Sequence, residues 1–168
     1  MNLKIASSNL NQTPLAWEKN FSNIRNSIND ARKKNVKILC FPELSITGYS
    51  CQDLFFNSWF INKSEKYLKE VVKLCDGMTV LIGHPLKYSG KLYNAVSIIK
   101  NKEIKGCFIK SNLPNDGIHY EKRWFEPWRL GEIKEHIFDK KKVPIGTIQY
   151  EFSDSLTLGF EICRDSWD

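Results

Sequence analysis

The sequence predicts an α+β domain, a mixed sheet with helices on one face. Three observations lead there. Residues 3–41 read in turn as strand, helix and strand. Beyond Met78 the apolar runs come in neighbouring pairs joined by short polar stretches, as hairpins do. Hydrophobic residues make up 42% of the 168, enough for one core, yet no run nears the roughly 20 apolar residues of a membrane span.

Leu3 to Leu10 opens with alternating apolar residues and ends in a polar Ser-Ser-Asn edge, a first strand. Thr13-Pro14 announces a helix, with proline near the first turn, where its missing N–H is no loss. Trp17, Phe21, Ile24, Ile28 and Ala31 recur at helical spacing up to about Lys34, and Arg32, Lys33 and Lys34 suit the negative end of the helix dipole. Val36 to Phe41 is nearly continuous apolar sequence, as a buried strand requires, and Pro42 ends it. Ser64 to Leu74 again reads as helix, with Tyr67, Leu68, Val71 and Leu74 on one side. Met78 to Gly83 is a buried strand, and Leu92–Ile99 with Ile104–Ile109 makes a hairpin around Lys100-Asn101-Lys102-Glu103. Ser111 to about Val143 reads as one long irregular segment with room for a short helix, and such a loop in a compact domain points to function. Ile145–Tyr150 and Leu156–Ile162 complete a second hairpin around Ser153-Asp154-Ser155. With no repeat, low-complexity tract or linker, residues 1–168 are expected to form part of one domain.

The formal charge of +6 raises the question of an acidic partner, but the lysines are spread among many Asn and Ile residues. The densest run, Lys140-Lys141-Lys142, has no interleaved aromatics and precedes Val143-Pro144, so a solvated loop is expected there and no nucleic-acid patch. Cysteines at 40, 51, 75, 107 and 163 are odd in number and form no C-x-x-C pair. Neither a disulfide framework nor a metal site is indicated, since His84, His119 and His136 form no cluster with them. The first residues lack the basic and long apolar segments of a secretion signal, and a cytoplasmic protein without membrane association is expected.

Cys163 is the best candidate nucleophile. It follows Leu156-Thr157-Leu158-Gly159-Phe160-Glu161-Ile162, and a thiol at a strand-to-helix turn lies near backbone N–H groups that lower its pKa and bind an oxyanion. Taken alone it reads better as a small core residue. Glu43, straight after a buried strand, is either a general base or the cap of a turn. Lys110 ends the run Cys107-Phe108-Ile109 and either stabilises an anion or simply reaches water. Three strand ends finishing in complementary chemistry make a stronger case together, because open sheets gather their sites at strand C-termini.

The order Glu, Lys, Cys, in the settings Phe41-Pro42-Glu43-Leu44, Lys110-x-x-Leu113 and Glu161-Ile162-Cys163-x-Asp165-x-Trp167, resembles the nitrilase superfamily of carbon-nitrogen hydrolases; Tyr93-Asn94-Ala95 matches as well. Within it, residues 48–55 (Gly-Tyr-Ser-Cys-Gln-Asp-Leu-Phe) and 115–128, with an Asn-Asp-Gly turn and an Arg-Trp-Phe-x-Pro-Trp ending, are similar to the glutaminase domains of glutamine-dependent NAD synthetases. His119 is a departure, since those domains more often carry Tyr there.

The resemblance implies a nitrilase-like α-β-β-α sandwich, here expected to be incomplete at the C-terminus, because the chain stops at Asp168 just after the cysteine. It implies a thiol amidase that hydrolyses glutamine with Glu43, Lys110 and Cys163 as catalytic residues and with no metal or organic cofactor. Glu121 is expected to support the Lys110 side, Tyr49 the glutamate, and Arg164 the site next to the nucleophile. The ammonia would serve a synthetase domain or subunit that uses ATP and Mg; no Ser-Gly-Gly-x-Asp-Ser phosphate loop occurs in these residues. A homo-oligomer is also implied. Two alternatives stay open: an amidase for another small amide, and a short non-catalytic assembly or binding protein.

Overall fold

The structure, a computed structural model, describes residues 3–167. Among these residues the elements run β1 (Ile5–Ser7), α1 (Trp17–Lys33), β2 (Ile38–Cys40), α2 (Ser58–Leu74), β3 (Thr79–Tyr88), β4 (Lys91–Lys100), β5 (Glu103–Ile109), β6 (Asn115–Asp116), β7 (His119–Tyr120), β8 (Ile133–Phe138), β9 (Lys141–Gly146), β10 (Tyr150–Ser153) and β11 (Leu156–Leu158). Seven strands build one mixed sheet in the order β1-β2-β3-β4-β5-β9-β8. β1, β2 and β3 are parallel, β3-β4-β5 form an antiparallel meander, and β9 joins β5 in parallel.

Both helices pack on one face. α1 turns Trp17, Ile24, Ile28 and Ala31 inward, and α2 turns Phe60, Ile61, Leu68 and Val71 inward, against Leu39, Val80, Ile82 and Ile99 of the sheet. Each fully buried side chain of this size stabilises the fold by roughly 1.5–3 kcal/mol. The helices meet through Trp17, whose ring lies 5.1 Å from Phe60 and stacks on Tyr67 at 5.5 Å. The opposite face is a second, smaller core: Ile38, Leu81, Ile98 and Phe108 meet Ile148 and Ile162, flanked by the β10-β11 hairpin. The alternation of neighbouring residues such as Leu39 and Ile38, or Val80 and Leu81, between the two cores shows why these strands read as unbroken apolar runs.

Several expectations need correction. α1 begins at Trp17 as its spacing predicts, but Pro14 lies ahead of its first turn: Thr13 is tied by its backbone to the buried amide of Asn20 at 2.9 and 2.8 Å, so Thr13-Pro14 forms a turn that leads into the helix. α2 starts at Ser58 rather than Ser64, because the aromatic cluster Trp59-Phe60 hides its period. β3 runs on to Tyr88 and pairs with β4 along its whole length, a hairpin the sequence reading missed.

The segment 111–143 is not irregular. It holds the small β6-β7 hairpin and the edge strand β8 with its partner β9. β8 escaped notice because an edge strand buries little: only Phe138 is buried, and Lys134 and Glu135 point to water. β9 was masked by Pro144 and by Lys141-Lys142, which are strand residues paired with Glu103 and Glu135, not a loop. Ile145 therefore belongs to the main sheet, and the last hairpin is shorter than expected, Tyr150–Ser153 with Leu156–Leu158.

Candidate active site

Glu43 leaves β2 through a tight turn. Phe41 N–H donates to Leu81 O at 2.8 Å, Leu44 takes a positive φ of 50°, and Gly48 N–H returns to Leu44 O at 2.8 Å. This turn lies directly on Gly83 of β3. A Cβ at Gly83 would sit 2.4 Å from Leu44 N and 2.7 Å from Pro42 O, so only glycine lets the carboxylate's backbone approach the sheet this closely.

Lys110 follows β5, its N–H held by Asn94 O at 2.9 Å and its own carbonyl by Trp128 N at 3.0 Å. Its side chain is fully buried and lies between two carboxylates. Nζ donates to Glu43 Oε1 at 2.5 Å and to Glu121 Oε1 at 3.0 Å. Glu121 Oε2 is also 2.9 Å away as an ion-pair contact, and among the described residues it makes no hydrogen bond. Glu121 itself is buried in a 3-10 turn, Glu121–Arg123, and accepts the Tyr49 hydroxyl at 2.6 Å. The Tyr49 hydroxyl is thus bonded to Glu121.

Burial raises the Glu43 carboxyl above its ordinary range, Lys110 pulls it down and Glu121 pushes it up again. Burial alone would lower the Lys110 ammonium, but Glu43 and Glu121 outweigh it and hold it above its usual value. Burial, then Glu121, Glu43 and Cys163, keep the Tyr49 hydroxyl protonated.

Cys163 opens a 3-10 turn, Cys163–Ser166, and follows an irregular stretch rather than a strand. It is exposed and has a φ of 50°, a left-handed conformation that costs a non-glycine residue roughly 1–3 kcal/mol. Asp165 holds this turn in place: its carboxylate accepts the N–H groups of Ser111 at 3.0 Å, Asn112 at 2.7 Å and Ile162 at 3.1 Å. That clamp fastens the thiol's turn to the residues directly after Lys110. Arg164 turns outward, 3.1 Å from Asp116, and does not join the buried network.

A half-open cavity of about 270 Å³ brings Cys163 together with Glu43, walled by Phe41, Val96 and Phe160 and reaching Asn94. Of the expected residues, Glu43, Lys110, Glu121 and Tyr49 form one bonded network and Cys163 opens onto the same space. The sequence reading missed two participants. Asn94 donates to Glu43 Oε1 at 2.5 Å; its signal was an amide in the middle of an apolar strand. For Asp165 nothing local marks a carboxylate whose donors lie 53 and 54 positions away. Among the described residues no group of three or more His, Cys, Asp or Glu side chains could hold a metal.

The carbon-nitrogen hydrolase family model matches residues 4–167, and the chain belongs to that family. It is a carbon-nitrogen hydrolase similar to glutamine-dependent NAD(+) synthetases. It is 32% identical to the one from Arabidopsis thaliana over 97% of its length, which is 24% of the plant protein. The crystal structure of the Cytophaga hutchinsonii enzyme superimposes with a TM-score of 0.93 at 40% identity, over 97% of this chain and 28% of that one. The Acinetobacter baumannii synthetase, solved in complex with ADP, gives a TM-score of 0.68 at 25% identity over 83% of this chain and 26% of that one. The chain spans about a quarter of the length of these relatives.

Proposed function

We propose that these residues hydrolyse the side-chain amide of glutamine, with Cys163 as nucleophile, Glu43 as general base and acid, and Lys110 as oxyanion stabiliser. The carrying observation is a fully buried Lys110 bridging Glu43 and Glu121 beside the cavity that Cys163 shares. Glu43 takes the proton from the thiol as the C–S bond forms, and the carbonyl electron pair moves onto oxygen. The ammonium of Lys110 has three N–H groups and spends two on carboxylates, so one is left for that oxygen, aided by the N–H after Cys163. Collapse breaks the C–N bond and ammonia leaves with the proton from Glu43. Water, deprotonated by Glu43, then opens the thioester to glutamate and free thiol.

The likeness to NAD synthetases supports a further reading, that the ammonia passes to a synthetase domain or subunit that uses ATP and Mg to amidate deamido-NAD. Glutamate release from glutamine by the intact native protein is the test, with Cys163→Ala expected to abolish it. Turnover that survives Cys163→Ala overturns the thiol mechanism. A wild-type protein that cleaves other small amides but not glutamine overturns the substrate.

A further inference from the structure

We propose that Asn94 is a positioning residue for Glu43 that decides which of the two carboxylate oxygens exchanges the proton; this rests on the glutaminase reading. Asn94 is fully buried in the middle of β4, opposite Pro85 of β3, and its Nδ2 lies 2.5 Å from Glu43 Oε1. Lys110 Nζ reaches the same oxygen, also at 2.5 Å. Two short donors therefore occupy Oε1. Oε2 makes no hydrogen bond among the described residues, and it belongs to a side chain that is 16% exposed and lines the cavity with Cys163. An ionised carboxylate can only accept, so the amide must present its NH2 group to Glu43. With Oε1 held from two directions the carboxylate cannot rotate, and Oε2 is the base.

The remaining half of the amide argues that Asn94 serves function rather than stability. Its Oδ1 is buried and has no partner among the described residues. A buried carbonyl without a donor costs stability, and leucine, of nearly the same shape, would avoid that cost. Asn94 carries a buried unpaired carbonyl that leucine would not, and what its other half does is point a hydrogen at Glu43.

The test is Asn94→Leu in the intact protein, with Asn94→Ser as a second variant should leucine not fold. An N–H donated to a carboxylate favours its charged form, so removing it raises the Glu43 pKa. The other groups facing Glu43, namely Lys110, Glu121, Tyr49 and Cys163, are unchanged. The expected result is a little-changed melting temperature, a kcat lower by roughly tenfold to hundredfold with KM little altered, and an acid limb of kcat/KM moved up by about a unit. A parallel loss of stability and of all kinetic parameters, with the acid limb unmoved, overturns the proposal. Alkylation of Cys163 by iodoacetamide across the same pH range separates this from failure of the glutaminase reading. Its acid inflection should move in the variant whether or not glutamine is the substrate, and an inflection that stays in place overturns the positioning role.

Discussion

Lys110 Nζ lies within 3.0 Å of both oxygens of Glu121, and neither side chain reaches solvent. With Glu43 this makes one buried cation between two carboxylates, an arrangement whose members depend on each other. Removing Glu121 leaves Lys110 paired with Glu43 but takes away the charged acceptor of both Lys110 and the Tyr49 hydroxyl, each bond worth roughly 1.5–3 kcal/mol. Glu121→Ala is therefore expected to destabilise by a few kcal/mol in urea unfolding, on the order of those two bonds. It also removes a group that raises both Glu43 and Lys110, so both limbs of the pH–rate profile should move to lower pH.

Gly83→Ala tests the packing under Glu43. The added methyl would meet backbone atoms of Pro42, Glu43 and Leu44 at 2.9 Å or less, and backbone cannot swing aside as a long side chain can. The turn must lift, at a cost of about 1–3 kcal/mol for overpacking. The substitution touches neither Lys110 nor Cys163, yet kcat should fall by about a hundredfold because Glu43 is displaced from its partners. Unchanged turnover in steady-state kinetics would show that the turn tolerates the shift.

His84 predicts an acid sensitivity apart from the site. It is buried beneath the helices, with Nδ1 3.0 Å from Pro85 O and Nε2 2.7 Å from Ser97 Oγ. The carbonyl can only accept, so the proton sits on Nδ1, and Ser97 donates to Nε2 and lies 3.1 Å from Cys107 Sγ. Burial lowers the imidazole to about 4 from an ordinary 6.5. The unfolded chain takes up a proton first, so stability is full above pH 6.5 and is lost as the pH falls toward 4, by about 3 kcal/mol. His84→Gln should flatten that slope in melting temperatures measured between pH 4 and 7; a slope identical to wild type would place the titrating group elsewhere.

Elements with strong periodicity were legible: α1, the lower half of α2, and the buried strands β2, β4 and β5 all lie where their apolar patterns put them. What escaped was structure without a hydrophobic signature. β8 is an edge strand with charged residues on it, β9 carries a proline, and the long β3 runs through His84-Pro85, which interrupts its apolar pattern. In each case pairing with a neighbour, not local preference, makes the strand.

By itself the sequence determined the fold class, the family and the candidates Glu43, Lys110 and Cys163, because residue order and the company of each residue survive in one dimension. Only the tertiary structure decided how they are joined. Lys110 is a bridge between Glu43 and Glu121, Tyr49 serves Glu121, Asn94 claims one oxygen of Glu43, and Asp165 clamps the thiol's turn to Ser111 and Asn112. The physical reason is separation along the chain. These bonds connect residues 11 to 72 positions apart, across strand ends that the sheet alone brings together, and no local pattern encodes a partner that distant.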